Sequence, residues 1–332
     1  MKKIRQKIAF RVDASHDLGF GHLSRCLVLA NELKRRMHVI FITKDTKEAV
    51  EKIKSNGFEF IKLKRGIGKK AEARQIKKIV ASQGVNKILV DLKEEVSKGY
   101  IEGLKGAGAK TILLDNIGGG RKNADVVIYP VAHADKKYFK GIKGKLFYGW
   151  DYVIVDKKFF AKRKKRKAKP TRPQLLVSMG GSDVQNLTPR IINALKRIRQ
   201  DFSCIVVIGP SFKHKSIKVN DQRFVIKKDV KNMAELMLSS DIGIIMFGVS
   251  AYEAAAARLP CLMISAKGRY GGDTKRFAGF GTVIPLGSPE QLTEKKISDG
   301  VKRLFDEKSL MAEMKTRSRK FLKPRRLVFE VI

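Results

Sequence analysis

A histidine that follows Gly-x-Gly at the start of a helix is placed to take a proton. Residues 11–25 read Arg-Val-Asp-Ala-Ser-His-Asp-Leu-Gly-Phe-Gly-His-Leu-Ser-Arg. Gly19 and Gly21 permit a tight turn and the close approach of a ligand. His22 would open the following helix, where the positive helix end disfavours imidazolium. A neutral imidazole near pH 7 can serve as a general base. The same pattern also fits a helix-capping polar residue in a structural turn, and spacing alone does not separate the two. His16, six residues earlier in the same loop, is the rival base.

Two further loops have the composition of anion sites. Ser178-Met-Gly-Gly-Ser-Asp183 follows an apolar strand, and paired glycines before a helix can turn backbone N–H groups toward a phosphate. It lacks the full GxGxxG spacing and the P-loop Lys-Ser/Thr, so an ordinary strand-to-helix turn capped by Asp183 accounts for it more simply. Phe247-Gly-Val-Ser-Ala-Tyr-Glu253 precedes an alanine run. Gly248, Val249 and Ser250 would form a second helix start, with Glu253 one turn in, where a carboxylate can accept hydrogen bonds from vicinal hydroxyls. A capping box, Ser250 with Glu253, has the same spacing. Five histidines and no HExxH give a metal or cofactor no support in the sequence.

These loops need strands to end on and helices to begin. β-rich runs at 7–12, 38–43, 58–63, 87–91, 111–115 and 126–129 alternate with helical patterns at 22–36, 46–55, 70–83 and 97–107. Continuous apolar strands between helices predict a parallel sheet covered on both faces. Residues 162–169 then read Lys-Arg-Lys-Lys-Arg-Lys-Ala-Lys, followed by Pro170 and Pro173. Like charges repel and prolines end helices, so this is a linker or exposed hinge. The alternation restarts with strands at 174–179, 204–208, 223–227, 241–246 and 261–264, and helices at 187–199, 232–239, 250–257, 289–305 and 308–321. The expected organisation is a doubly wound α/β domain over 1–160, a basic hinge over 161–173 and a second α/β domain over 174–332. The two would face a cleft, with ligands at the carboxyl ends of the strands.

The chain has 332 residues, enough for two domains with their own cores. A hydrophobic fraction of 43% excludes a wholly disordered chain. The net charge of +39 points to an anionic partner. With no RNA-recognition, KH or zinc-finger signature, nucleic acid is not the expected one. A peripheral contact of the basic hinge with an anionic membrane stays open. Cys26, Cys204 and Cys261 are far apart with no CxxC, which excludes a disulfide framework and a sequence-local zinc site and fits a reducing compartment. The first residues are too charged for a signal peptide, and no charge-free stretch approaches the ~20 apolar residues of a membrane span. A cytoplasmic chain is therefore expected; nothing in the sequence specifies an oligomeric state.

In this order the three loops resemble the UDP-sugar hydrolases of pseudaminic acid biosynthesis (the PseG family), which belong to the GT-B structural superfamily and are related to MurG. The specific part is Arg11-x-Asp13-x-Ser15-x-x-x-Gly19-x-Gly21-His22-x-x-Arg25, with Leu29-Ala30 after it. Asp115-Asn116 resembles the family's acidic pair after a central strand, and Gly149-x-x-Tyr152 leading to Phe159 its domain-junction segment. Gly180-Gly181-Ser182-Asp183 with Asn186-Leu187, then Met233-Ala-Glu-Leu236, Asp241, Gly248-x-Ser250-x-x-Glu253 and Pro260 complete it. The resemblance spans about residues 7–286. Two places depart from it. Val155-Asp156 stands where the family carries an Arg, and 267–277 lacks the family's Asn-Gln in a segment that should face the sugar or nucleotide.

The resemblance implies a GT-B fold of two doubly wound Rossmann-like domains and metal-free hydrolysis, without a cofactor, of a UDP-linked amino or deoxy sugar. It implies UDP at Gly180, Gly181, Ser182, Asp183, Gly248, Val249, Ser250 and Glu253, with diphosphate at the 248–250 helix start and ribose at Glu253. Arg11, Asp13, Ser15, Gly19, Gly21, Arg25 and Asp115 would serve the sugar. His22 would deprotonate the water that attacks the anomeric carbon, with inversion. Two alternatives stand beside it. In an inverting GT-B glycosyltransferase of cell-surface polysaccharide synthesis, the same base activates an acceptor hydroxyl, and a basic surface suits a lipid-linked acceptor. The other is a basic nucleotide-binding module without turnover.

Overall fold

The structure, a computed structural model, describes residues 6–15, 17–44, 46–64, 66–162, 172–212, 214, 217–265, 270–323 and 327–332. His16, most of the basic hinge (163–171) and 266–269 lie outside the described residues. The chain divides into two compact units, Met1–Ile154 with Arg325–Ile332, and Val155–Pro324. This differs from a division at 160 in two ways, and burial explains both. The turn Lys157–Phe160 sends Phe159 into the second unit, and Val328 and Ile332 return to the first unit's core beside Leu23 and Leu27.

In the first unit, seven strands form one sheet: β1 (Lys7–Val12), β2 (His38–Lys44), β3 (Glu59–Leu63), β4 (Lys87–Asp91), β5 (Lys110–Leu114), β6 (Val126–Tyr129) and β7 (Lys145–Tyr148). Their order is β3-β2-β1-β4-β5-β6-β7, and every pairing is parallel. Helices α1 (Gly21–Leu33), α2 (Lys47–Ser55), α3 (Lys69–Ser82) and α4 (Lys98–Lys105) connect them. The central strands are buried on both faces, as in β4, where Ile88 to Val90 are all buried, and β6, where Val126 to Tyr129 are; this is why they read as unbroken apolar runs. On α1 the buried stripe is Leu23, Cys26, Leu27, Leu29, Ala30 and Leu33.

The second unit repeats the plan with β8 (Gln174–Ser178), β9 (Ser203–Ile208), β10 (Phe224–Lys228), β11 (Ile242–Met246), β12 (Cys261–Ile264) and β13 (Val283–Gly287). The order is β10-β9-β8-β11-β12-β13, again all parallel. Its helices are α5 (Leu187–Lys196), α6 (Met233–Ser239), α7 (Val249–Ala256), α8 (Tyr270–Ala278), α9 (Glu294–Asp306) and α10 (Lys308–Phe321), and α11 (Leu327–Val331) belongs to the first unit. In each sheet the strand order reverses beside the first strand, between β1 and β4 and between β8 and β11. Open α/β sheets bind ligands at such a point. The loops after β1, β8 and β11 are the three that the sequence singles out.

Four elements are absent from the sequence reading, each for a local reason. β7 is four residues between Gly144 and Gly149, and a Cβ on Gly144 would sit 2.2 Å from the Ala124 carbonyl oxygen. β13 carries Pro285, tolerated because it is an edge strand. α8 contains Gly271 and Gly272, poor helix formers, and α11 has only five residues. No helix among the described residues is long and apolar enough to cross a membrane.

Candidate active site

β1 hands the chain to a tight turn. Gly19 N–H donates to the Ser15 carbonyl (2.9 Å), Leu18 N–H donates to the Ser15 hydroxyl (3.2 Å), and Gly19 takes the left-handed conformation (φ 79°) that closes it. Lys93 Nζ, beyond the end of β4, donates to the Asp17 and Leu18 carbonyls from the far side of the loop. Gly21 is the first residue of α1 and His22 the second, with no side chain capping this helix end.

What the loop delivers is a charge relay across the switch point. His22 Nδ1 lies 2.6 Å from Asp91 Oδ1, at the carboxyl end of β4. Asp91 is fully buried, whereas the His22 side chain is 21% exposed. Arg25, one helical turn after His22, grips the same carboxylate with two donors, Nε to Oδ2 (2.7 Å) and Nη2 to Oδ1 (2.6 Å). Its third nitrogen, Nη1, donates to Asp115 Oδ2 (2.7 Å), and the Cys26 thiol lies 3.4 Å from Asp91 Oδ2. Burial opposes the Asp91 charge, but Arg25 and then His22 outweigh it and hold the carboxyl well below the usual carboxylate range. An ionised acceptor requires a donor on Nδ1, so that nitrogen carries a proton and Nε2 is the ring atom left for proton transfer. The 3.0 Å between Arg25 Nη2 and Nδ1 is then the spacing of two donors sharing one oxygen. An imidazole oriented by a buried carboxylate is the arrangement a general base needs.

Beside the relay lies a second buried network. Arg11 on β1 is fully buried and donates to both oxygens of Asp13 (2.6 and 2.7 Å) and twice to Glu72 Oε1 (3.0 and 2.8 Å). Tyr100 OH also donates to Glu72 Oε1 (2.9 Å). Among the described residues Glu72 Oε2 has no hydrogen bond and instead faces Lys69 Nζ (3.5 Å) and Lys44 Nζ (3.7 Å). Burial opposes the Asp13 and Glu72 charges, but Arg11 outweighs it in each and lowers both pKa values. Arg11, Asp13 and Arg25, which the resemblance assigns to the sugar, are each held within these networks. Every guanidinium nitrogen of Arg11 and Arg25 donates to a carboxylate, so within the protein they shape the loop and hold Asp91 and Asp115 in place. His22, Ser15 and Asp115 remain partly exposed; Asp115 has φ 49°, a strained conformation for a non-glycine residue at a strand end.

Sequence reasoning missed Asp91, Glu72 and Tyr100. Asp91 had one signal, a carboxylate ending the apolar strand Lys-Ile-Leu-Val-Asp at the end of the sheet where ligands bind. Glu72 and Tyr100 had none, since only the packing of α3 and α4 brings them to Arg11.

In the second unit, Asp183 is buried and committed to α5. Its carboxylate accepts the Leu187 N–H (2.9 Å), the Thr188 N–H (2.9 Å) and the Thr188 hydroxyl (2.6 Å). The Asp183 carboxylate thus caps the start of α5. Asp183→Ala is expected to lower stability by about 2 kcal/mol, the upper end of the range for a lost cap, in urea unfolding. Gly180 (φ 83°) is exposed, Gly181 half-buried and Ser182 buried. Gly209 after β9 meets Gly181 so closely that a Cβ there would lie 2.3 Å from the Gly181 oxygen. α7 begins at Val249 with Gly248 as its N-cap and no side-chain cap; Ser250 is already helical, so the capping box is not formed. Gly248 is exposed, and Val249, Ser250 and Glu253 are half-buried. Among the described residues no group of three or more His, Cys, Asp or Glu could hold a metal ion.

No family model matches the chain. The uncharacterized protein MJ1062 of Methanocaldococcus jannaschii is 31% identical over 279 residues, covering 78% of this chain; the chain spans 55% of that relative's length. The spore coat polysaccharide biosynthesis protein SpsG of Bacillus subtilis is 25% identical over 312 residues, 88% of this chain and 87% of SpsG. Among solved structures, Acinetobacter baumannii MurG superposes with a TM-score of 0.70 at 14% identity, over 98% of this chain and 99% of MurG. Anabaena HepE in complex with UDP-glucose superposes with a TM-score of 0.61 at 11% identity, over 96% and 95%. The fold is thus the GT-B architecture of two Rossmann-like domains.

Proposed function

We propose that the chain is a nucleotide-sugar enzyme that breaks the bond between the anomeric carbon and a nucleoside diphosphate, with His22 as general base. The observation that carries this is the His22–Asp91 contact, 2.6 Å, at the switch point of the first unit. His22 Nε2 takes the proton from the nucleophile while Nδ1 keeps its own proton on Asp91. The nucleophile's oxygen bonds to the anomeric carbon as the carbon–oxygen bond to the diphosphate breaks, which inverts the centre. The second unit would carry UDP, with diphosphate at the N–H groups of Gly248, Val249 and Ser250 and ribose on Glu253. The MurG and HepE likenesses and the relative named for polysaccharide biosynthesis support a nucleotide-sugar substrate.

With water as nucleophile the reaction is UDP-sugar hydrolysis, as the loop motifs suggest. With an acceptor hydroxyl it is glycosyl transfer, which the GT-B architecture favours equally. Incubation with a panel of UDP-sugars separates them. UDP release without acceptor identifies a hydrolase, release only with added acceptor identifies a transferase, and no release under either condition overturns both. Glu253→Ala is expected to weaken UDP binding by about 1–3 kcal/mol, the range for hydrogen bonds to a charged group. Calorimetry checks it, and equal affinity in both proteins removes Glu253 from the ribose.

A further inference from the structure

We propose that the face built by residues 136–148 of the first unit docks on an anionic lipid bilayer. The proposal needs neither hydrolysis nor transfer to hold. From Lys136 to Trp150 the chain carries five lysines, 136, 137, 140, 143 and 145, and no acidic residue or arginine. The segment runs from the turn Lys136–Phe139 into β7, the edge strand of the sheet. All five lysines are exposed. Lys137 pairs with Asp135 (3.0 Å), while the other four make no ion pair among the described residues. A sixth cation joins them, because the exposed Lys122 lays its aliphatic stem beside Gly141.

Aromatic rings lie within this charge. Phe139 packs 5.5 Å from the buried Tyr129 and 4.5 Å from Tyr148, which is 45% exposed. Lys137 Nζ stands 5.1 Å from the Tyr138 ring centroid. Tyrosine and tryptophan rings sit at the headgroup level of a bilayer, and lysine stems lie along apolar surface while their ammonium groups meet lipid phosphates. Nucleic acid fits less well. The segment lacks arginine's bidentate fork, and its rings pack on one another instead of standing apart as base-stacking platforms. Tyr129 and Tyr148 end β6 and β7, so the rings lie at the carboxyl edge of the sheet that also holds Asp91. β4 and β7 are separated by three strand spacings of about 4.8 Å each. Docking would therefore bring the His22 relay close to the lipid surface.

The test is sedimentation of the full chain with phosphatidylcholine vesicles, with and without phosphatidylglycerol, at low and high salt. A lysine near an anionic surface contributes about fivefold to partitioning. Replacing Lys136, Lys137, Lys140, Lys143 and Lys145 with Gln is expected to weaken binding to the anionic vesicles by more than about 100-fold. A control that removes as many cations from the region of α3 (Lys64, Lys70, Arg74, Lys77 and Lys78 to Gln) should weaken it by less than about tenfold, through net charge alone. Trp150 is the chain's single tryptophan and adjoins the face, so its emission should shift to the blue with anionic vesicles and stay unchanged with neutral ones. Equal loss in the two variants would reduce the effect to overall charge and overturn the proposal. So would loss only on replacing the 162–169 lysines and arginines, or a face variant that loses binding to an RNA oligonucleotide while keeping the vesicles.

Discussion

His22→Asn is expected to lower kcat for UDP release by about 10²–10⁴-fold, the usual worth of general-base assistance, while UDP affinity stays near wild type. The split follows from placement. The base comes from the loop after β1, and the loops proposed for the nucleotide belong to the other unit. Asparagine keeps a polar side chain at the second position of α1, and Arg25 still holds the Asp91 carboxylate with two donors, so the variant should remain folded. His16→Asn should cost much less. The measurement is UDP release from a turned-over UDP-sugar, with calorimetric UDP binding for each variant. An active His22→Asn protein, or a larger loss at His16, would remove His22 as the base.

Asp91→Asn should lose activity to a similar extent, and stability as well. An amide offers one acceptor where the carboxylate offers two, and four donors converge on this side chain: His22 Nδ1, Arg25 Nε and Nη2, and the Cys26 thiol. The His22 tautomer is no longer fixed, and a buried Arg25 keeps only Asp115 as a charged partner. Breaking a buried pair from one side costs about 3–5 kcal/mol. Urea unfolding should show that loss, and single-turnover UDP release at a temperature where the variant is folded should show a fall of up to about 10²–10⁴-fold. The double variant His22→Asn, Asp91→Asn should be no slower than His22→Asn alone, because the carboxylate acts through the ring. Losses that multiply would show that Asp91 works independently of His22. The stability loss has a sign in pH too. The folded Asp91 pKa is depressed, so its contribution is present above the ordinary carboxylate value near 4 and is lost as pH falls through the lower folded value.

The sequence by itself determined the two-unit alternation, most strand and helix positions, and the loops after β1, β8 and β11. These are local properties. Continuous apolar strands, amphipathic helices and glycine-bearing turns such as Gly19 are written in neighbouring residues, and burial on both sheet faces makes the strands conspicuous. His22 was legible because Gly-x-Gly and the helix start adjoin it. Only the tertiary structure supplied its partner. Asp91 lies 69 residues from His22 and 66 from Arg25, and Asp115 lies 90 from Arg25. They meet because β1, β4 and β5 are adjacent in the sheet. The same cause gave protein partners to residues whose types had suggested ligand contact, Glu72 to Arg11 and the start of α5 to Asp183. A charged side chain buried without a partner costs more than any exposed contact returns, so packing fixed which partner each of them took.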